Sequence, residues 1–184
     1  EESRKYLKRP DRAVLTGNPV RPEVITATRE EGLAAFGLDG SRQAVLAFGG
    51  SQGSASLNRA LIGALPELTA RVNAQFVLAT GKDKFSESVA LARDAGVPAV
   101  ISSDGIARSE RGDIIIMPYI YTMPQALACA DLALTRSGAI TLAELAVRGV
   151  PAVLVPHPRV PDNVQEKNAR AMESRGAARV VLDR

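Results

Sequence analysis

The sequence predicts a doubly wound α/β domain built on a parallel sheet. Short apolar runs of strand length alternate with segments whose apolar residues recur at helical spacing, which is typical of parallel strands joined by helical crossovers. Most runs are continuously apolar, as expected of strands buried on both faces. With 184 residues, of which 46% are hydrophobic and 23% charged, the chain can bury a core, and disordered and collagen-like classes are excluded.

Eight apolar runs are predicted to be strands, and the polar, glycine-containing stretch 103–112 is predicted to be a loop. The predicted strands are 13–16, 44–48, 75–80, 99–102, 113–117, 132–135, 152–155 and 178–182.

Apolar residues at helical spacing predict helices between these strands. One begins after Gly53 and is ended by Pro66, which lacks a backbone donor. Another, running through residue 130, begins with a capping box of Thr122 and Gln125. Two further helices are predicted over 137–147 and 162–175.

The composition argues against several classes of partner and site. The net charge is +3, but basic residues are dispersed and there is no Trp, so no nucleic-acid partner is expected. A single cysteine, Cys129, and a single histidine, His157, exclude a disulfide scaffold and a His/Cys metal cage. No cofactor is predicted, and the expected compartment is the reducing cytoplasm.

The sequence also bears on membranes and on the extent of the chain. No apolar stretch approaches the roughly 20 residues that a membrane-spanning helix needs, so we expect any membrane contact to be peripheral. Because the chain opens on Glu1 in a charged stretch, we expect a piece of a longer protein.

A glycine turn, Gly49 to Gly53, follows the predicted strand 44–48 and precedes a helix. Glycines allow close approach of the backbone to a phosphate, and the helix presents free N–H groups, so this corner suits a pyrophosphate. The alternative is a tight turn that binds nothing. The spacing departs from the dinucleotide fingerprint, and no acidic residue follows the next strand, which argues against NAD.

A second strand-to-helix corner runs from Thr135 to Glu144. Glu144 lies about two turns into the predicted helix, where its carboxylate could accept hydrogen bonds from both hydroxyls of a ribose. The alternatives are that Glu144 is a solvated helix position and that Ser137 is only an N-cap.

Two loops carry further candidates. Pro156 to Gln165 leaves a buried strand, and such loops form the ligand crevice of open α/β sheets; Gln165 could bind sugar hydroxyls or merely form a capping box with Asp162. We interpret His157 as a loop-packing residue. Arg21, on a turn between prolines, could bind a phosphate with little loss of entropy or could be an ordinary surface arginine.

Taken in order, these motifs resemble glycosyltransferase family 28. The resemblance covers essentially the whole chain but only the carboxyl-terminal half of those two-domain enzymes. It rests on five segments: Gly17-Asn18-Pro19-Val20-Arg21, Gly49-Gly50-Ser51-Gln52-Gly53, Tyr119-Ile120 with Met123, Arg136-Ser137-Gly138-Ala139 with Glu144, and Asp162-Asn163-Val164-Gln165 with Asn168-Ala169.

The resemblance implies a Rossmann-like doubly wound sheet, the carboxyl-terminal half of a GT-B glycosyltransferase. It implies an interdomain linker and first strand at 1–17, a UDP-sugar donor-binding domain at 18–184, and an absent amino-terminal acceptor domain. The implied parent is an inverting hexosyltransferase that moves N-acetylglucosamine from UDP to lipid I, making lipid II for peptidoglycan at the cytoplasmic face of the membrane. The general base belongs to the absent half, so no catalytic residue is expected in this chain and the fragment alone should be inactive.

Site roles also follow from the resemblance. Ser51 and Gln52 would face the diphosphate, Arg21 would contact the donor, and the Ile120 backbone, near Met123, would read uracil. The nucleotide would be lined by Ser137, Gly138, Ala139, Ile140, Thr141 and, on the ribose, Glu144. Gln165 would hold the N-acetylglucosamine hydroxyls; Val164, where relatives often carry a polar residue, departs from the pattern.

Two competing functions remain open at this point. A UDP-N-acetylglucosamine 2-epimerase uses the same architecture and donor, although the Asn-Pro-Val-Arg and Ser-Gly-Ala patterns fit the transferase better. A non-enzymatic nucleotide-sugar-binding module would carry identical corners.

Overall fold

The computed structural model describes residues 8–14 and 16–183. Their strands form one sheet: β1 (Gln43–Phe48), β2 (Ala74–Ala79), β3 (Ala99–Ile101), β4 (Ala107–Ser109), β5 (Ile114–Met117), β6 (Leu132–Thr135), β7 (Ala152–Leu154) and β8 (Ala178–Val180). The α-helices are α1 (Pro22–Thr26), α2 (Arg29–Phe36), α3 (Ala55–Arg71), α4 (Phe85–Asp94), α5 (Met123–Cys129), α6 (Ala139–Arg148) and α7 (Val164–Glu173).

The order of strands across the sheet confirms the predicted doubly wound class. The order is β3-β4-β5-β2-β1-β6-β7-β8, and every neighbouring pair is parallel except the two that involve β4. The chain builds outward from β1 through β2 and then returns to place β6 on the other side of β1. In such open sheets, ligands bind beyond the carboxyl ends of the strands, where the winding changes direction.

Both faces of the sheet are buried because its central strands are apolar throughout. Successive side chains of β2 point to opposite faces: Val77 packs in the cluster that contains Leu127 and Leu145, and Leu78 packs in the cluster that contains Ile62. Helices therefore cover both faces, and their amino-terminal ends are left at the edge where the parallel strands end.

One strand prediction and one loop prediction differ from the structure. Residues 13, 14 and 16 form no strand, and Leu15 lies outside the described residues. Val14 is 81% exposed, so it is not buried as the side chain of a central strand would be. The predicted loop 103–112 contains β4, which runs antiparallel between β3 and β5. Ala107 is fully buried there.

Several helix predictions were also wrong in detail. Pro66 lies inside α3 rather than ending it, with its ring exposed while Leu65 keeps packing on the core. Thr122 precedes α5 but makes no side-chain capping bond, so the predicted capping box is absent. Helix α7 begins at Val164 instead of residue 162, because Asp162 adopts a left-handed backbone with φ of 55°. The helices α1, α2 and α4 were not predicted.

Candidate functional site

A cleft of about 740 Å³ opens at the carboxyl ends of the central strands. Phe48 and Ala79 end β1 and β2 side by side and form its floor. The other residues that line the cleft come from the loop before α1, the glycine turn, the loop after β5 and the start of α6: Pro19, Val20, Arg21, Gly50, Ser51, Tyr119, Ile120, Tyr121, Met123, Ile140, Thr141 and Glu144.

The glycine turn is fixed in place by backbone packing against the end of β2. A Cβ on Gly53 would lie 1.8 Å from the carbonyl oxygen of Thr80, and one on Gly81 would lie 2.3 Å from that of Gln52. Only glycine allows this approach, and Gly53 has a φ of 68°. Ser51 is thereby held at the cleft, whereas Gln52, whose carbonyl accepts a hydrogen bond from Lys84 Nζ at 2.9 Å, does not line it.

Helix α6 presents its first turn to the cleft. Gly138 precedes the helix, and Ile140 and Thr141 in its first turn line the cleft. The first N–H groups of a helix have no acceptor within it and form its positive end, so this end of α6 can receive an anion.

Glu144, one turn further along α6, is buried and not solvated. It is 8% exposed, and Arg21 Nη2 donates a hydrogen bond to its Oε1 at 3.0 Å. The loop that carries Arg21 is also joined to α6 by Asn18, whose Nδ2 donates to the carbonyl of Ala139 at 3.2 Å. Arg21 and Glu144, both predicted site residues, therefore meet at one wall of the cleft. Arg21 belongs to the start of the chain, whereas Glu144 belongs to its last third.

Ser137 and Gln165 join the start of α7 to neighbouring loops instead of capping helices. The buried Ser137 Oγ donates to the carbonyl of Gln165 at 2.7 Å, so Ser137 is not the N-cap of α6. The Gln165 side chain accepts the backbone N–H of His157 at 2.9 Å, so it forms no capping box with Asp162. His157 Nδ1 accepts the N–H of Arg159 at 3.0 Å, which fits a loop-packing role.

Arg136, just after β6, joins the neighbouring loops. It is 8% exposed, and its Nη1 donates to the carbonyls of Val155 and Pro156 at 3.0 and 3.1 Å. Its Nη2 donates to Ser54 Oγ and Ser56 Oγ at 2.7 and 3.0 Å. Sequence reasoning gave this arginine no role, because nothing in its local pattern indicates contacts to segments 19 to 82 residues away.

The predicted site residues divide into two sets. Seven line the cleft: Arg21, Ser51, Ile120, Met123, Ile140, Thr141 and Glu144. Five lie beside it without lining it: Gln52, Ser137, Gly138, Ala139 and Gln165.

Sequence reasoning missed an aromatic pair at the mouth of the cleft. The rings of Tyr119 and Tyr121 meet edge to face at 4.9 Å, and Lys82 Nζ lies 5.9 and 5.7 Å from their centres. Tyr121 is 75% exposed. A tyrosine on either side of Ile120 was the available signal, because large exposed aromatics often mark binding surfaces.

The described part of the chain contains neither a membrane-spanning helix nor a metal-binding cluster. Within residues 8–14 and 16–183, no helix is long and apolar enough to cross a membrane. The same residues contain no group of three or more His, Cys, Asp or Glu side chains arranged to hold a metal ion.

The strand order and the position of the cleft are those of a doubly wound α/β domain that is open at the carboxyl ends of its central strands. Comparison with known proteins identifies the family. Residues 44–184 match the model described as "Glycosyltransferase family 28 C-terminal domain". The chain belongs to this family.

Relatives with curated names cover the whole chain. It is 39% identical over 183 residues to the UDP-N-acetylglucosamine--N-acetylmuramyl-(pentapeptide) pyrophosphoryl-undecaprenol N-acetylglucosamine transferase of Desulforamulus reducens, covering 100% of this chain and 47% of that protein. It is 40% identical over 183 residues to the protein of the same name in Moorella thermoacetica, again covering 100% and 47%. The chain thus spans about half the length of the curated relatives it matches.

Solved structures agree on the fold. The crystal structure of Acinetobacter baumannii MurG matches with a TM-score of 0.66 and 26% identity, over 93% of this chain and 44% of that one. The C-terminal CMP-Kdo binding domain of WaaA from the same organism matches with a TM-score of 0.61 over 83% of this chain and 79% of that one. Its identity of 14% supports the shared fold alone.

Proposed function

We propose that this chain is the donor-binding half of an enzyme that transfers N-acetylglucosamine from UDP to lipid I, forming lipid II for peptidoglycan. The observation that carries the proposal is the cleft, where Ser51, the start of α6 and the buried carboxylate of Glu144 converge. The names of the relatives support this donor and a pyrophosphoryl-undecaprenol acceptor. We assign residues 1–17 to an interdomain linker and 18–184 to the donor-binding domain.

The donor would lie along the cleft with its charge on the glycine turn and α6. Glu144 would accept hydrogen bonds from the ribose hydroxyls, as a carboxylate has lone pairs for both. The diphosphate would face Ser51 and the free N–H groups at the start of α6. The backbone of Ile120 would read the edge of uracil, beside Met123.

The sugar end of the donor would reach the loop before α7. Gln165 uses its Oε1 on the backbone of His157, which leaves the Nε2 amide free to donate to a sugar hydroxyl. Because Gln165 is tied to the end of β7 through this bond, the position of its amide is fixed before the sugar arrives. We propose that this amide contacts N-acetylglucosamine.

These groups would promote departure of UDP rather than attack by the acceptor. Negative charge grows on the diphosphate as the bond to the sugar breaks. The preoriented N–H groups at the start of α6 and the guanidinium of Arg21 would stabilise that charge most effectively. The general base and the acceptor site are assigned to the other half of the parent protein. The isolated fragment should therefore bind donor and have negligible transferase activity, and lipid II formation by the fragment alone would contradict this.

The parent enzyme would act at the cytoplasmic face of the membrane. The support is the undecaprenol-linked acceptor in the names of the relatives, because a lipid-linked acceptor brings its enzyme to a membrane surface. No nucleic-acid partner and no cofactor are proposed. The comparisons do not favour the 2-epimerase alternative, since the relatives at 39% and 40% identity are named as transferases.

A titration followed by amide signals tests the donor assignment. UDP-N-acetylglucosamine and UDP should shift the signals of Ser51, Ile120, Thr141 and Glu144, while NAD should not. Glu144→Gln should weaken UDP binding about 10-fold by removing a charged acceptor. The matched control, Glu30→Gln on the exposed face of α2, should change nothing; shifts remote from the cleft would contradict the proposal.

A further inference from the structure

The wall of the cleft contains a buried carboxylate with a single hydrogen-bonding partner. Among the described residues, Glu144 is bonded only to Arg21. The Glu144 side chain is 10% exposed, whereas that of Arg21 is 53% exposed. A carboxylate buried to this extent needs a compensating donor, and in the empty cleft Arg21 provides it.

The arginine is anchored at its backbone but free along its side chain. Its carbonyl accepts the N–H of Val24 at 3.0 Å, Pro22 follows it at the start of α1, and Asn18 ties the same loop to α6. Only Nη2 of its guanidinium donates to an acceptor in the part of the chain that the structure describes. Rotation about the side-chain bonds can therefore redirect the guanidinium without moving the loop.

Two groups of a bound nucleoside diphosphate would compete for this ion pair. Arg21 Nη2 donates to Glu144 Oε1, one of the two carboxylate oxygens that a pair of ribose hydroxyls would use, and a diphosphate offers Arg21 an anionic, bidentate acceptor. A nucleoside alone would displace Arg21 from Glu144 without offering its guanidinium another acceptor. A nucleoside diphosphate would provide a new partner for each member of the pair.

We propose that Arg21 is an exchangeable counter-ion that makes the cleft select nucleoside diphosphates over nucleosides. In the empty cleft it pairs with Glu144, and in the filled cleft it moves to the diphosphate and releases Glu144 to the ribose. This inference rests on the proposed function and adds the step by which phosphate binding favours ribose binding. Selectivity for nucleoside diphosphates then has two sources. One is the direct bond from Arg21 to phosphate, and the other is the free energy needed to break the Arg21–Glu144 pair, which a ligand without phosphate does not recover.

The test measures the affinities of uridine and UDP for the intact chain and for Arg21→Ala, using amide signals of Ile140 and Thr141. Removing Arg21 should weaken UDP about 10-fold or more, because a charged hydrogen bond to phosphate is lost. It should tighten uridine about 5-fold, the size of a modest coupling between two ligands. Arg71→Ala, which removes an exposed arginine at the end of α3, should change neither affinity.

A second measurement uses no variant. Saturating pyrophosphate should draw Arg21 off Glu144 and tighten uridine binding by a similar factor, and by reciprocity uridine should tighten pyrophosphate. This coupling should vanish in Arg21→Ala and in Glu144→Gln.

The outcomes separate the two proposals. Uridine binding that is unchanged or weakened in Arg21→Ala, or that is insensitive to pyrophosphate in the intact chain, would overturn the exchange while leaving UDP binding in place. If UDP does not perturb the cleft of the intact chain at all, the proposed function fails and the exchange fails with it.

Discussion

Arg136 Nη2 donates a hydrogen bond to Asp183 Oδ2 at 2.6 Å, joining the end of β6 to the last described residue of the chain. The two side chains are 10% and 20% exposed, and Ser56 Oγ donates to the same carboxylate oxygen at 2.8 Å. The arginine also bonds the first residues after β7. Arg136 and Asp183 therefore link the start of α3, which follows the glycine turn, to the loop after β7.

Replacing Asp183 should destabilise the domain. Asp183→Ala leaves a buried guanidinium without its counter-ion, and we expect a loss of about 2–3 kcal/mol in the free energy of unfolding, measured by urea denaturation at pH 7. The control is Asp94→Ala, where both partners are largely exposed and the urea midpoint should not change. Equal midpoints for the two variants would contradict a stabilising role for the Arg136 pair.

The Asp183 carboxylate should make the free energy of unfolding depend on pH in the acidic range. Burial raises the pKa of Asp183, but hydrogen bonds from Arg136 and Ser56 outweigh it, and the net pKa is lowered. A group whose folded pKa is depressed adds stability above its unfolded pKa of about 4, and this is lost as the pH falls through the folded value. Between pH 5 and pH 2 the stability of Asp183→Ala should fall less steeply than that of the intact chain; parallel curves would contradict this.

The contact between the glycine turn and β2 predicts a strong difference between two glycines. Gly53→Ala places a Cβ 1.8 Å from the backbone of Thr80, and we expect about 4 kcal/mol or more of destabilisation. Gly50→Ala has a similar positive φ, 83°, but nothing within 4 Å of the new Cβ, so it should cost only about 1–2 kcal/mol. Urea unfolding of both variants checks this, and similar losses would show that backbone angle, not close approach, requires Gly53.

Gln165 should affect recognition of the sugar but not of the nucleotide. Gln165→Ala removes the amide proposed to contact N-acetylglucosamine, so the affinity for UDP-N-acetylglucosamine should fall about 5-fold, as for a lost hydrogen bond, while that for UDP stays unchanged. The control is Gln43→Ala, at the exposed amino-terminal end of β1, which is the end of the strand away from the cleft. An equal loss for both ligands would mean that Gln165 acts only by bracing the loop at His157.

The central strands could be predicted from sequence because burial on both faces makes them continuously apolar. β2 is buried along its whole length and β5 likewise, and both predictions agree with the structure to within one residue. β4 could not be found this way, since Arg108 and Ser109 make it partly polar and its pairing with β3 and β5 defines it. The apolar run 13–16 gave the opposite error, because residues 13, 14 and 16, which the structure describes, pair with none of the strands β1 to β8.

The site could be predicted where a residue acts through its local position. Ser51 and Thr141 reach the cleft because each lies where a strand gives way to a helix, a relation visible in the sequence. Pairings across long separations were not predictable from spacing: Arg21 and Glu144 are 123 residues apart. Ser137 fitted an N-cap by pattern, yet its hydroxyl bonds the backbone of Gln165, because α7 packs beside the start of α6.

The most direct test is a crystal structure of this chain soaked with UDP-N-acetylglucosamine. We expect the diphosphate within hydrogen-bond distance of Ser51 and the first turn of α6, the ribose hydroxyls on Glu144, and the Arg21 guanidinium turned toward phosphate. Ligand density outside this cleft, or a ribose directed away from Glu144, would contradict the assignment of the donor site.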